Sequence, residues 1–193
     1  MKPTGYLIYG IAINDAEYAV SPEIDGKTVY CPFYRAWSNM LKRCYNHKYQ
    51  KKQPTYIGCS VCDEWLKFSA FRKWMETQDW KNKELDKDIL NPGNKVYSPE
   101  NCMFVSRAIN SLLHVRSRRN QLPQGVWFDL GAGKFRAEFT ANGKKKYIGL
   151  YRNALEAWAA YRNAKAAHIR SVAVQQDERL SAALMRHADA LVC

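Results

Sequence analysis

Two aspartates, a lysine, two asparagines and a histidine crowd one short part of this chain. Leu85-Asp86-Lys87-Asp88-Ile89 is followed by Tyr97-Ser98-Pro99-Glu100-Asn101-Cys102-Met103-Phe104-Val105, then by Asn110 and His114. On a strand, Asp86 and Asp88 share a face. On a helix, Asn110 and His114, four apart, do the same. A hard divalent cation such as Mg2+ takes oxygen ligands and keeps several waters. Asp86 and the Asn110 side-chain carbonyl can supply two such oxygens. A metal held there stabilises charge on a phosphodiester and assists the leaving oxygen. Positioning these groups needs a strand, a long loop, a second strand and a helix. Residues 87–89 and 102–105 are expected as the strands, and 107–119 as a helix with a basic end.

The rest of the chain has the charge and rings to hold a polyanion. Its 193 residues carry 30 Lys+Arg against 18 Asp+Glu, a net charge of +12, and 13% of them are aromatic. A pI near 9.5 is the footprint expected of a nucleic-acid binder. Hydrophobic residues at 47% are enough for a packed core, so wholesale disorder is excluded. No apolar run is long enough for a membrane span, and no membrane partner is expected. The first ten residues do not read as a secretory signal, so a reducing, cytoplasmic setting is expected.

Six cysteines are therefore read as packing or metal ligands rather than disulfides. Cys44-x-x-His47 followed by Cys59-x-x-Cys62 has the spacing of a Cys3His zinc site. The competing reading is that these cysteines are small buried hydrophobes, since Cys44 falls on the apolar side of an amphipathic helix over 33–45. A second helix is expected over 63–76. The basic stretch 47–55 between them reads as a loop.

After a break at Gln121-Leu122-Pro123-Gln124-Gly125 the pattern changes. Lys134-Phe135-Arg136-Ala137-Glu138-Phe139-Thr140 alternates strictly, as a half-buried strand does. Asn142-Gly143 is a hairpin turn, with strands on either side and another over 126–130. A long Ala-rich helix from Ala154 can cover one sheet face. The other face is left with Trp127, Asp129, Lys134, Arg136, Glu138, Thr140, Lys145 and Tyr147. Such a surface can enter a DNA major groove. A final amphipathic helix over 177–192, with Leu180, Leu184 and Leu191, can serve a protein partner or pack on its own domain.

Two resemblances fit this division. Gly125-Val126-Trp127, Gly133-Lys134-Phe135-Arg136-Ala137-Glu138, Tyr147-Ile148-Gly149-Leu150-Tyr151 and Glu156-Ala157-Trp158-Ala159-Ala160-Tyr161 resemble the plant ethylene-response-factor type of DNA-binding domain over about 125–170. That resemblance implies that Trp127, Glu138, Thr140, Lys145 and Tyr147 face double-stranded DNA. Asp129 stands where the plant domains often have Arg, so no base preference carries over.

Trp37-Ser38-Asn39-Met40-Leu41-Lys42-Arg43-Cys44-Tyr45, Val61-Cys62-Asp63-Glu64-Trp65-Leu66 and the stretch 97–110 resemble phage homing-endonuclease-like proteins of the HNH, or ββα-metal, nuclease family, over about 30–120. This implies Asp86 and Asn110 as metal ligands and Asn101 as the residue tying the long loop. It also implies a phage-infected bacterial cell as the setting. The base position, after Asp86, holds Lys87 instead of His. A protonated amine cannot accept a proton. Three readings stay open. Lys87 binds phosphate; or Asp88 or His114 is the base; or the site is inactive and the chain only binds DNA as a regulator or inhibitor.

The expected architecture is α+β. An HNH-like module with an N-terminal helical extension occupies 1–121, a three-stranded sheet packed on one helix occupies 122–175, and an amphipathic helix occupies 176–193. Arg116, Arg118 and Arg119, with Lys144–Lys146, would neutralise phosphates.

Overall fold

The computed structural model describes residues 7–114, 122–141 and 143–192. The chain forms two compact units, Met1–Ser106 and Arg107–Cys193, each mixing helices with small sheets. The helix expected from 107 onward, which the sequence groups with the N-terminal module, begins the second unit.

The first unit opens with two short antiparallel ribbons, β1 (Leu7–Ile8) with β2 (Ala12–Ile13) and β3 (Glu23–Ile24) with β4 (Lys27–Thr28). Asp25 and Gly26 turn the second ribbon with φ of 51° and 70°, left-handed backbone that Asp and Gly tolerate. Helix α1 (Pro32–Tyr45) starts on Pro32, whose missing N–H costs nothing in the first turn. Trp37, Met40, Leu41 and Cys44 recur at helical spacing and are buried.

The basic stretch after it is not a loop. It folds as α2 (His47–Lys52), capped by Asn46, whose Oδ1 accepts from the Tyr49 N–H at 2.9 Å. Next come β5 (Ser60–Val61), a 3-10 turn over Asp63–Leu66, and α3 (Phe68–Glu76). The expected single helix over 63–76 is thus broken at Lys67, which adopts extended backbone.

The core of this unit is aromatic. Trp37 and Trp65 are both fully buried, and the Trp37 Nε1–H donates to the Trp65 carbonyl at 2.7 Å. Trp65, Phe71 and Trp74 pack at 4.4–5.8 Å between ring centres. Truncating a ring so enclosed costs about 3–5 kcal/mol.

On this base sit β6 (Lys83–Asp86), β7 (Val96–Tyr97) and β8 (Met103–Ser106). β6 pairs antiparallel with β8, Asp86 opposite Met103, and β5 pairs in parallel with β7. The first strand of the expected pair thus ends at Asp86 instead of running over 87–89.

The second unit begins with α4 (Arg107–Leu113). Arg116, Arg118 and Arg119 lie outside the described residues, as does Asn142 of the hairpin turn. β9 (Val126–Asp129), β10 (Lys134–Ala141) and β11 (Lys144–Tyr151) form an antiparallel sheet with β10 central. Phe135, Ala137 and Phe139 face α5 (Ala154–Ala173), packing with Val126, Ala157 and Tyr161. A bulge opposite Ala137 and Glu138 leaves Ile148 unpaired, so Tyr147 shares the Glu138 position on the outer face. Gly125 has φ +80° and lies under the Tyr161 ring, where an added Cβ would sit 1.9 Å from Cδ2.

α6 (Glu178–Val192) packs along α5, with Leu180, Ala183, Leu184 and Ala188 buried and Arg170 paired to Asp189 at 2.7 Å. The apolar side once available to a protein partner is therefore covered within the unit. Among the described residues no helix is long and apolar enough to cross a membrane.

Candidate functional site

At the end of β6 the chain turns over the Asp86 carboxylate. Its Oδ1 accepts from the N–H groups of Asp88 at 2.8 Å and Ile89 at 2.7 Å, a side-chain-capped turn. Burial pushes the Asp86 carboxyl up; the two N–H groups pull it down, and the neighbouring Asp88 charge raises it further. Oδ2 accepts no hydrogen bond among the described residues.

Lys87 points inward. It is 4% exposed, and its ammonium donates to Asp88 Oδ1 and to the Asn94 carbonyl, both at 2.6 Å, beside the Tyr97 ring. Asn94 returns the contact, its Nδ2 donating to the carbonyls of Lys87 at 3.0 Å and Val96 at 2.8 Å. The two residues clip the loop between β6 and β7 shut. An ammonium so engaged has no lone pair for base work and little freedom to follow a phosphate.

Asn101 closes the loop from its other end. Its Oδ1 accepts from Asn91 Nδ2 at 2.9 Å and its Nδ2 donates to Ser98 Oγ at 3.0 Å. Arg43, reaching over from α1, donates to the Leu85 carbonyl at 3.4 Å and lies 5.5 Å from the Tyr56 ring centre. Neither Arg43 nor Asn94 is marked in the sequence as part of this assembly. The only sequence sign is that Arg43 stands off the apolar face of its helix. Asn110 is half-buried on α4, and His114, exposed, follows the last residue of that helix. Both belong to the second unit, whereas Asp86, Lys87, Asp88 and Asn101 belong to the first.

The four zinc candidates do not gather. Among the described residues no three His, Cys, Asp or Glu side chains form a metal-binding group. Cys44 and Cys59 are buried in the aromatic core while His47 is exposed on α2. Burial pushes the Cys44 thiol up to about 12.

Comparison with family models, with curated proteins and with solved structures returns no match.

In the second unit the outer sheet face is assembled around one carboxylate. Glu138 is 5% exposed, and its oxygens pair with Arg136 at 3.0 Å and Lys145 at 3.1 Å. The Arg136 guanidinium lies 5.2 Å from the Tyr147 ring centre, and the Lys145 ammonium 6.0 Å from that of Trp127. Trp127 and Tyr147 remain 40% and 58% exposed, and Thr140 is exposed beside them. Two cations and two rings are thus held in fixed array at the surface, with Glu138 beneath as their anchor. Asp129 is spent locally, its Oδ1 accepting from the Ala132 N–H at 3.0 Å in the β9–β10 turn.

Proposed function

We propose that this chain binds double-stranded DNA through the outer face of the β9–β11 sheet. The observation that carries this reading is the Trp127–Arg136–Lys145–Tyr147 array over the buried Glu138. One sheet face is covered by α5, so the other is free to enter a major groove, which admits a β-ribbon. Arg136 and Lys145 supply donors for phosphates or base edges, and Trp127 and Tyr147 supply apolar contact. Glu138 holds the cations in register instead of reading bases itself.

A second reading adds catalysis: metal-assisted phosphodiester hydrolysis by an HNH-like first module. It is favoured by the chain order β6, long loop, β8, α4, with Asp86 ending β6 and Asn101 tying the loop. The donor set fits a Mg2+-type ion, which takes one or two carboxylates and keeps its waters, and does not fit zinc. Asp86, through Oδ2, would be a ligand of the ion, which would stabilise charge on the phosphodiester. Lys87 is the loop clip in this scheme. The base role falls to Asp88, which is half-exposed and belongs to the same unit as Asp86.

Supercoiled plasmid separates the two readings. Nicking with Mg2+ or Mn2+ that is lost in EDTA and in Asp86→Ala supports the nuclease. Retention of plasmid without nicking leaves a DNA-binding protein on a nuclease-like scaffold.

A further inference from the structure

Between Asp25 and Asp63 the sequence contains no Asp or Glu, and α2 lies in that stretch. Lys48, Lys51 and Lys52 stand three and four residues apart, so they share one helix face. All three are exposed, and none makes an ion pair or hydrogen bond among the described residues. Like charges at this spacing repel and destabilise a helix by a few tenths of a kcal/mol per pair. A six-residue helix is far too short to stand by its own propensity. The fold nevertheless holds it in place. Gln50, 8% exposed on the inner side, donates from Nε2 to the carbonyls of Arg43 at 3.2 Å, Cys44 at 2.7 Å and Tyr56 at 3.3 Å. Lys95 donates to the Thr55 carbonyl at 2.8 Å and fixes the segment that follows. A rigidly mounted, unpaired, self-repelling lysine face is complementary to a polyanion with regularly spaced charge.

The mounting leads to the Asp86 turn. Gln50 grips Arg43, and the Arg43 guanidinium grips the carbonyl of Leu85, the residue before Asp86. The same guanidinium lies 5.5 Å from the ring centre of Tyr56, the residue whose carbonyl Gln50 also holds. We propose that the Lys48–Lys51–Lys52 face of α2 is a second DNA contact, a sequence-independent clamp on the phosphate backbone belonging to the first unit. The proposal rests on the DNA-binding reading above and adds to it a contact made by a different set of residues.

The test uses the full chain and a short duplex of random sequence, with affinity measured by fluorescence anisotropy between about 50 and 200 mM salt. Lys48→Gln/Lys51→Gln/Lys52→Gln is expected to make the slope of log K against log salt shallower by about 2–3, since each phosphate contact contributes about 0.9. The corresponding Lys→Arg triple variant keeps the wild-type slope. Trp127→Ala/Lys145→Ala is titrated alongside. If the α2 variant changes the slope while the sheet variant binds normally, the clamp stands and the sheet reading fails. If the sheet variant weakens binding while the α2 variant keeps the wild-type slope, the clamp is overturned and the sheet reading survives. A wild-type chain that does not bind the duplex overturns both. Lysine-dependent retention on phosphatidylserine vesicles, with an unaltered DNA slope, would give the face a membrane partner instead and overturn the proposal.

Discussion

Each unit of this protein buries a charged residue next to the residues of interest, and the two do opposite things. In the first unit the buried group is a cation, Lys87, and its partners are the Asp88 carboxylate and a backbone carbonyl of the same loop. In the second it is an anion, Glu138, and its partners are two cations that remain largely at the surface. The Lys87 side chain is 5% exposed, whereas that of Lys145 is 75% exposed. A buried charge whose partners belong to its own loop holds that loop. A buried charge whose partners face water presents those partners to a ligand. Exposure of the far end of the pair, more than the residue type, separates the scaffold lysine from the contact lysine.

The largest effect is expected where the sheet meets its helix. Gly125→Ala forces a Cβ into the Tyr161 ring at positive φ and should destabilise the second unit by about 2–4 kcal/mol in urea unfolding. The outer face would then lose its support, and DNA binding would fall with the fold. Next comes Lys87→Met, which leaves the Asn94 carbonyl without its donor and should cost the first unit about 1–3 kcal/mol. It should leave DNA affinity of the folded chain unchanged. A tenfold loss of affinity without loss of stability would place Lys87 among the contacts and break the contrast. Glu138→Gln should cost about 1 kcal/mol or less, because solvent reaches both of its cations, yet weaken binding by disordering the pair.

The smallest effect sharpens the comparison from a third buried charge. Lys165 is 6% exposed beside the Tyr161 ring, and burial lowers its pKa. Between that lowered value and the ordinary lysine range the unfolded chain holds more protons, so stability rises with pH across that window. At neutral pH the buried ammonium carries its full desolvation cost. Lys165→Met should therefore raise the unfolding midpoint at neutral pH, with the gain shrinking as the pH rises. A pH-independent difference would remove burial as the cause.

The parts of the fold legible in the sequence are those with a long period. The alternation of 134–140 places Phe135, Ala137 and Phe139 against α5, and the three- and four-residue recurrence places Trp37, Met40, Leu41 and Cys44 in the core. Short elements held by side-chain bonds are not legible in this way. His47–Lys52 has no apolar repeat, and its helix depends on the Asn46 cap and on Gln50 bonding three carbonyls. β6 ends at Asp86 where the Asp86 carboxylate accepts from the N–H groups of Asp88 and Ile89 and turns the chain. Lys87 stands out in the sequence only as a residue of the wrong type for a base. Its role as a clip depends on a carbonyl seven residues away, which no periodicity announces. Likewise the outer-face position of Glu138 follows from alternation, but its burial follows from cross-strand neighbours.

The most direct test of the proposed interface is the affinity of the full chain for double-stranded DNA, measured on the wild type and on Trp127→Ala/Lys145→Ala at fixed low salt, with melting curves for both. The account predicts at least a tenfold loss of affinity, about 1.4 kcal/mol, with the melting transition unchanged. Equal affinity in the two proteins would contradict it and take the sheet face out of the DNA interface.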